Sequence, residues 1–135
     1  MQNMTIVVAG GSGFVGTALT QVLLSKGHTV VVIDRVGPKL THQQLFFIPC
    51  DLETTTLPFN VLERTDAIIN LAGRPIGTKW TPAIKEQIKA SRVLSTRHLV
   101  ESLKQTVNRP QIFINASAVG FYGEVEQEVD ERAGK

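Results

Sequence analysis

A single cysteine, Cys50, leaves the 135-residue chain without an internal disulfide, and that composition suits a reducing, cytoplasmic setting. Cys50 itself reads as a small buried hydrophobe rather than a catalytic thiol. No apolar run approaches the roughly 18 residues of a membrane span, and the first residues carry no secretory pattern. Charge of one sign is equally scarce. With 14 Lys and Arg against 12 Asp and Glu, the formal charge is +2, and the cations are scattered rather than gathered into the stripe that a nucleic-acid surface requires. His28, His42 and His98 stand apart from any partner at metal-ligand spacing, so each reads as a surface side chain. There is no internal repeat and no low-complexity tract. What remains is a soluble chain of one-domain size, long enough to bury a core.

Against these absences, glycine is concentrated in one place. Thr5-Ile6-Val7-Val8-Ala9, a β-branched run that reads as a strand buried on both faces, leads directly into Gly10-Gly11-Ser12-Gly13-Phe14-Val15-Gly16. Phe14, Val15, Ala18, Leu19, Val22 and Leu23 then recur at helical spacing, and Lys26-Gly27 supplies a cation and a stop. Gly11, Gly13 and Gly16 fit G-x-G-x-x-G, while Gly10, Gly13 and Gly16 fit G-x-x-G-x-x-G. Either spacing lets the main chain approach a ligand with no Cβ between them, and the helix amides behind it suit a pyrophosphate. Asp34, at the end of a second strand Thr29-Val30-Val31-Val32-Ile33, completes the context of a dinucleotide fingerprint. A carboxylate there takes the ribose hydroxyls of NAD, whereas the adjacent Arg35 would pair with the 2′-phosphate of NADP, so the two residues pull in opposite directions. A solvated loop charge is the competing reading of Arg35.

Thr41-His42-Gln43-Gln44 reads as a connection, and Leu45-Phe46-Phe47-Ile48 as a third strand delivering Pro49-Cys50-Asp51-Leu52. Asp51 can accept a hydrogen bond from an adenine amino group or cap the turn before Thr54-Thr55-Thr56. A weak helical stretch is expected from Pro58 to Arg64, and the fourth strand is expected over Ala67-Ile68-Ile69-Asn70-Leu71-Ala72-Gly73. Its small last residues would let a flat cofactor lie against the backbone. Arg74 to Trp80 forms a loop at the same edge, Thr81-Pro82 opens a helix, and that helix runs to about Gln105 with Ile84, Ile88, Leu99 and Leu103 facing inward. The fifth strand, Gln111-Ile112-Phe113-Ile114-Asn115, brings Ala116 to Gly123 to the edge where the other motifs gather.

Five strands alternating with crossovers predict a Rossmann-type α/β fold, with a parallel sheet in the order 3-2-1-4-5 and helices on both faces. Residues 1–123 form the dinucleotide-binding domain on this reading. Residues 124–135 hold five acidic groups and read as an exposed tail, or as a loop that begins a further substrate-binding region.

Gly10 to Gly16, Asp51-Leu52, Asn70-Leu71-Ala72-Gly73, Ser91-Arg92 and Ala116-Ser117-Ala118-Val119-Gly120-Phe121-Tyr122-Gly123 together resemble the extended and atypical short-chain dehydrogenase/reductases. The group labelled nucleoside-diphosphate-sugar epimerase, some of whose members are labelled cell-division inhibitors, is the nearest likeness. The resemblance implies NAD or NADP along Gly10, Gly13, Phe14, Val15 and Gly16, with the ribose at Asp34 or Arg35. It also implies adenine at Asp51 and Leu52, and nicotinamide beside Leu71, Ala72 and Gly73. Ser117 would orient a substrate oxygen, and the substrate would be nucleotide-sugar-like. Arg92 stands where extended members usually carry an asparagine, so it offers a charge to a substrate or cofactor phosphate, or is a helix-surface arginine.

The departures from that pattern are as informative. Family chemistry uses a tyrosine with a lysine four residues on, but Tyr122 is the sole tyrosine and is followed at that distance by Glu126, a carboxylate where the pattern has a cation. Family members are also about twice as long. The chain therefore reads as the dinucleotide-binding half of an oxidoreductase or epimerase. The alternatives are a non-catalytic dinucleotide-binding regulator and a fragment that binds nothing tightly. A fifth strand at the sheet edge would leave apolar residues uncovered and favour self-association.

Overall fold

The computed structural model describes residues 2–58 and 60–133, and its core is one parallel sheet. Strand β1 (Thr5–Ala9) leads through the glycine turn into helix α1 (Phe14–Ser25), followed by β2 (Thr29–Asp34) and β3 (Leu45–Pro49). Strand β4 (Ala67–Asn70), helix α2 (Pro82–Gln105) and β5 (Ile112–Asn115) complete the sheet, and a 3-10 turn spans Val119–Tyr122. The strand order is β3-β2-β1-β4-β5, as the crossover lengths predict, and every pairing is parallel.

Alternation along the strands divides the core between two faces. Val7, Ala9, Ile33 and Ile68 meet Leu99 of α2 on one side, whereas Ile6, Val8, Val30, Val32 and Ala67 meet Leu24 of α1 on the other. The fourth strand ends at Asn70 rather than Gly73, because the amide of Leu71 makes the last ladder bond, to Ala9 O at 2.8 Å, and the chain then turns away. No helix forms over the described part of Pro58 to Arg64, and Phe59 lies outside the described residues. Leu52, Leu57 and Leu62 are instead buried under the sheet from an irregular crossover, each contributing about 2 kcal/mol of apolar burial. The Ser102 hydroxyl holds this segment by accepting from the Leu57 amide at 2.9 Å.

Small residues fill much of the buried stripe of both helices. In α1 the buried residues are Gly16, Thr20 and Leu24, while Phe14 is 96% exposed and Val15 and Val22 face outward. In α2 Leu99 is buried as expected, but Ser91, Ser95 and Ser102 complete the stripe, with Ile84, Ile88 and Leu103 only half-buried. Thr81 caps α2 as expected, accepting from the Ile84 amide at 3.2 Å ahead of Pro82. Two histidines are not on the surface. His28 is buried with Nδ1 accepting from the Met4 amide at 3.1 Å, and His98 is half-buried with Nδ1 2.6 Å from Leu52 O. Strand β5 pairs with β4 on one side only, and Ile112, Phe113 and Ile114 are 43, 39 and 52% exposed. Among the described residues no helix is long and apolar enough to cross a membrane.

Candidate functional site

The glycine turn closes because three of its glycines have no room for a side chain. Gly10 has φ +77°, and a Cβ on it would sit 2.8 Å from the Leu71 carbonyl. On Gly11 a Cβ would strike Val32, and on Gly16 it would lie 2.3 Å from Gly10 O. Gly13 is different. As the N-cap of α1 it faces open space, and the nearest atom to an added Cβ is Gly10 O at 3.4 Å. No side chain caps α1 and no acidic residue stands in its first turn, so its amides and the positive end of its dipole are uncompensated. A helix start left in that state, under a glycine with clearance above it, is built to receive an anion.

These features open into a cavity of about 590 Å³, the size range of small-molecule and cofactor sites. The sequence-predicted residues Gly10, Gly13, Phe14, Val15, Gly16, Asp34, Arg35, Asp51, Leu52, Leu71, Ala72, Gly73 and Arg92 all line it. Asp34 turns its carboxylate back onto the loop, with Oδ2 accepting from the Ser12 amide at 3.2 Å and Oδ1 from the Arg35 amide at 2.8 Å. Asp51 makes the turn that was the second of its two expected roles. Its Oδ1 accepts from the Glu53 amide at 3.0 Å, its carbonyl holds the amides of Thr54 and Thr55, and the residue still faces the cleft. Cys50 is half-buried, packing against the core while also lining the cleft, and burial, followed by the Asp51 charge, pushes its thiol up from the usual 9.0. It is therefore a neutral thiol at neutral pH.

The far wall comes from Ser91, Arg74 and Glu53, to which the sequence motifs assigned no role. Ser91 is buried and accepts from the Arg74 amide at 3.0 Å while donating to Ile88 O at 2.7 Å, which ties the loop after β4 to α2. Glu53 approaches Arg74 Nε at 3.6 Å across the same rim. The signal available was the serine spacing 91, 95 and 102, which places small polar groups on one helical face where long apolar ones are the norm.

Ser117 does not line this cleft. It lies in an adjoining cavity of about 140 Å³ with Asn70, Leu71, Ala72, Arg92, Thr96, Asn115 and Ala116. Leu71, Ala72 and Arg92 border both spaces. Asn70, buried at the end of β4, donates from Nδ2 to Asn115 Oδ1 at 2.7 Å and to Thr96 Oγ1 at 3.2 Å, and its Oδ1 accepts from the Ala72 amide at 3.2 Å. The two asparagines are register partners, so an amide pair locks the ends of β4 and β5 together where the cavities meet. Equivalent asparagines closing two strands were visible in the sequence, but their pairing required the register.

A family model described as the NAD dependent epimerase/dehydratase family matches residues 6–134. The epimerase family protein YfhF of Bacillus subtilis is 35% identical over 120 residues, covering 89% of this chain and 39% of its own length. The human epimerase family protein SDR39U1, solved with NADPH, superposes with a TM-score of 0.74 at 28% identity, covering 96% of this chain and 42% of that one. UDP-glucuronic acid 4-epimerase from Bacillus cereus, solved with UDP-glucuronic acid and NAD, gives a TM-score of 0.78 at 28% identity, covering 96% of this chain and 45% of that one. The chain thus spans about two fifths of the length of the proteins it matches.

Proposed function

Since the chain belongs to the NAD dependent epimerase/dehydratase family, we propose that its main cleft binds NAD or NADP and that it is the dinucleotide-binding part of an epimerase or oxidoreductase acting on a nucleotide-sugar-like substrate. The observation that carries this reading is Gly13. It is the one glycine of the turn whose missing Cβ is not required by packing, and it stands at an uncapped helix start facing the cleft. A pyrophosphate would lie over Phe14, Val15 and Gly16, the ribose by Asp34 and Arg35, adenine against Asp51 and Leu52, and nicotinamide by Leu71, Ala72 and Gly73. The bound dinucleotide would supply hydride transfer. Ser117 would orient the substrate oxygen from the adjoining cavity. The 135 residues hold no tyrosine with a lysine four residues on, and the proton-transfer pair is not assigned to them.

Residues 1–123 form the dinucleotide domain in this proposal, and the acidic residues 124–135 belong to the substrate-binding part. The half-buried single thiol suits a cytoplasmic setting. The exposed apolar strand β5 supports self-association by strand pairing with a second copy. The experiment is calorimetric titration of the chain with NADPH and, in parallel, NADH. Binding of either at roughly micromolar affinity is expected, and heat no greater than dilution for both would overturn the reading.

A further inference from the structure

We propose that the small cavity beside the main cleft is a carboxylate subsite, with Arg92, Thr96 and Ser117 as its donors, and that it selects substrates bearing a sugar-acid carboxyl group. This inference rests on the reading of the neighbouring cleft as a dinucleotide site. It starts from an imbalance in the cavity's hydrogen-bonding groups. Asn70 spends both of its amide hydrogens, on Asn115 Oδ1 and Thr96 Oγ1, and its own oxygen is taken by the Ala72 amide. Asn115 turns its remaining amide group to Ala116 O at 3.1 Å. The side-chain amides are therefore occupied with one another and with the backbone, acceptors included.

The donors are not occupied. Thr96 Oγ1 serves as an acceptor, and its proton has no partner among the described residues. The Ser117 hydroxyl likewise has none. Arg92 is held in place by one nitrogen alone, with Nη1 donating to Arg74 O and Ile88 O at 3.2 Å each, which leaves Nε and Nη2 for a ligand. Those two N–H groups form one flat edge of the guanidinium, the geometry that a carboxylate matches with both oxygens. Gly73 makes the placement possible, since a Cβ there would lie 3.0 Å from Arg92 Cζ. A cavity with a cation, two hydroxyls whose protons are uncommitted, and side-chain amides already engaged with one another and the backbone favours an acceptor-rich anionic group over a neutral sugar hydroxyl. Its position is also fitting, because Leu71 and Ala72, which border both cavities, belong to the wall assigned to nicotinamide.

The test follows the backbone amide resonances of Ser117 and Ala72 in the 135-residue chain during titration with D-glucuronate, with D-glucose as the neutral twin and inorganic phosphate as the competing anion. Saturable shifts are expected with glucuronate and not with glucose. Arg92→Gln is expected to abolish saturation, and Thr96→Val to weaken it at least five-fold. NADPH and NADH affinities should stay within two-fold in Thr96→Val, whose side chain lines only the small cavity. Equal shifts with glucose, or saturation by phosphate and not by glucuronate, would overturn the proposal. A ten-fold loss of dinucleotide affinity in Arg92→Gln with glucuronate binding intact would overturn it too, by assigning Arg92 to the cofactor. The two readings fail separately: glucuronate binding without dinucleotide binding sinks the cleft assignment and leaves the subsite, and the reverse result does the opposite.

Discussion

Gly13 and Gly16 stand three residues apart in the same turn, yet alanine at each should fail in a different way. At Gly16 a Cβ would lie 2.3 Å from Gly10 O, 2.6 Å from Gly11 Cα and 2.8 Å from Gly11 C, all of them main-chain atoms that cannot rotate aside. Relief requires α1 to lift away from the end of β1, and Gly16 is itself part of the buried stripe of that helix. Overpacking of this kind costs about 3 kcal/mol or more, against roughly 1 kcal/mol gained from the better helix propensity of alanine. The net loss of about 2 kcal/mol is a large share of the 5–15 kcal/mol typical of a domain. At Gly13 the same methyl group meets Gly10 O at 3.4 Å, and φ is −75°, which alanine adopts freely. A weaker N-cap and a less flexible unfolded chain then offset one another to within about 1 kcal/mol. Urea denaturation of the two variants, paired with NADPH and NADH titration, separates the effects. Gly16→Ala should shift the midpoint strongly, whereas Gly13→Ala should keep the midpoint and lose at least ten-fold in dinucleotide affinity. The reasoning is refuted if Gly16→Ala is as stable as the native chain, or if Gly13→Ala binds the dinucleotide unchanged.

Two further outcomes follow from the same geometry. The Glu63 carboxylate accepts from the amides of Val107 at 2.8 Å and Asn108 at 3.1 Å, and these bonds hold its pKa below the ordinary 4.5, the Val107 bond first. They favour the charged form in the folded state, so their stabilisation is complete above the unfolded pKa and is lost as pH falls through the lower folded value. Glu63→Gln should therefore melt below the native chain at pH 7, and the gap should close as the pH falls below the ordinary carboxylate range; a gap independent of pH would contradict this. The exposed β5 strand should drive concentration-dependent association in light scattering, reduced by Ile114→Lys at the free edge, and a monomer at every concentration would remove that proposal.

How much of this was legible in the sequence depended on whether the deciding contact was local. The strand order and the positions of β1, β2 and α2 follow from β-branched runs, glycine punctuation and the Thr81-Pro82 start, all within a few residues of one another. The cleft was legible for a different reason. In a parallel sheet every strand delivers its carboxyl end to the same edge, so residues marked at the ends of β1, β2, β3 and β4 had to converge on the cleft without any knowledge of packing, and β5 brings Ser117 to the cavity beside it. Failures occurred where the partner was distant in sequence. His28 is buried because Met4 supplies its partner 24 residues earlier, and His98 is drawn in by a carbonyl 46 residues away. The apolar period of α1 was legible, and Leu19 and Leu23 do pack on the core, but nothing local showed that the tight Gly16 contact leaves Phe14 and Val15 exposed at the cleft.

The opposition between Asp34 and Arg35 is resolved in kind by the same distinction between local and distant partners. Read as a ligand contact alone, Asp34 argues for NAD. In the fold its two oxygens hold the amides of Ser12 and Arg35, the first of them 22 residues earlier in the glycine turn, so the carboxylate fastens that turn to the end of β2 whatever the ribose carries. A residue with that task is retained by the loop it supports, and its identity is weak evidence about a 2′-phosphate. Among the described residues Arg35 is hydrogen-bonded only through its backbone, and it lines the cleft. In the proposed dinucleotide site the residue free to discriminate a 2′-phosphate would therefore be Arg35, and Arg35→Ala should lower NADPH affinity more than NADH affinity. Substitution of Asp34 would disturb the turn and the ribose contact together, and would weaken both cofactors without separating them.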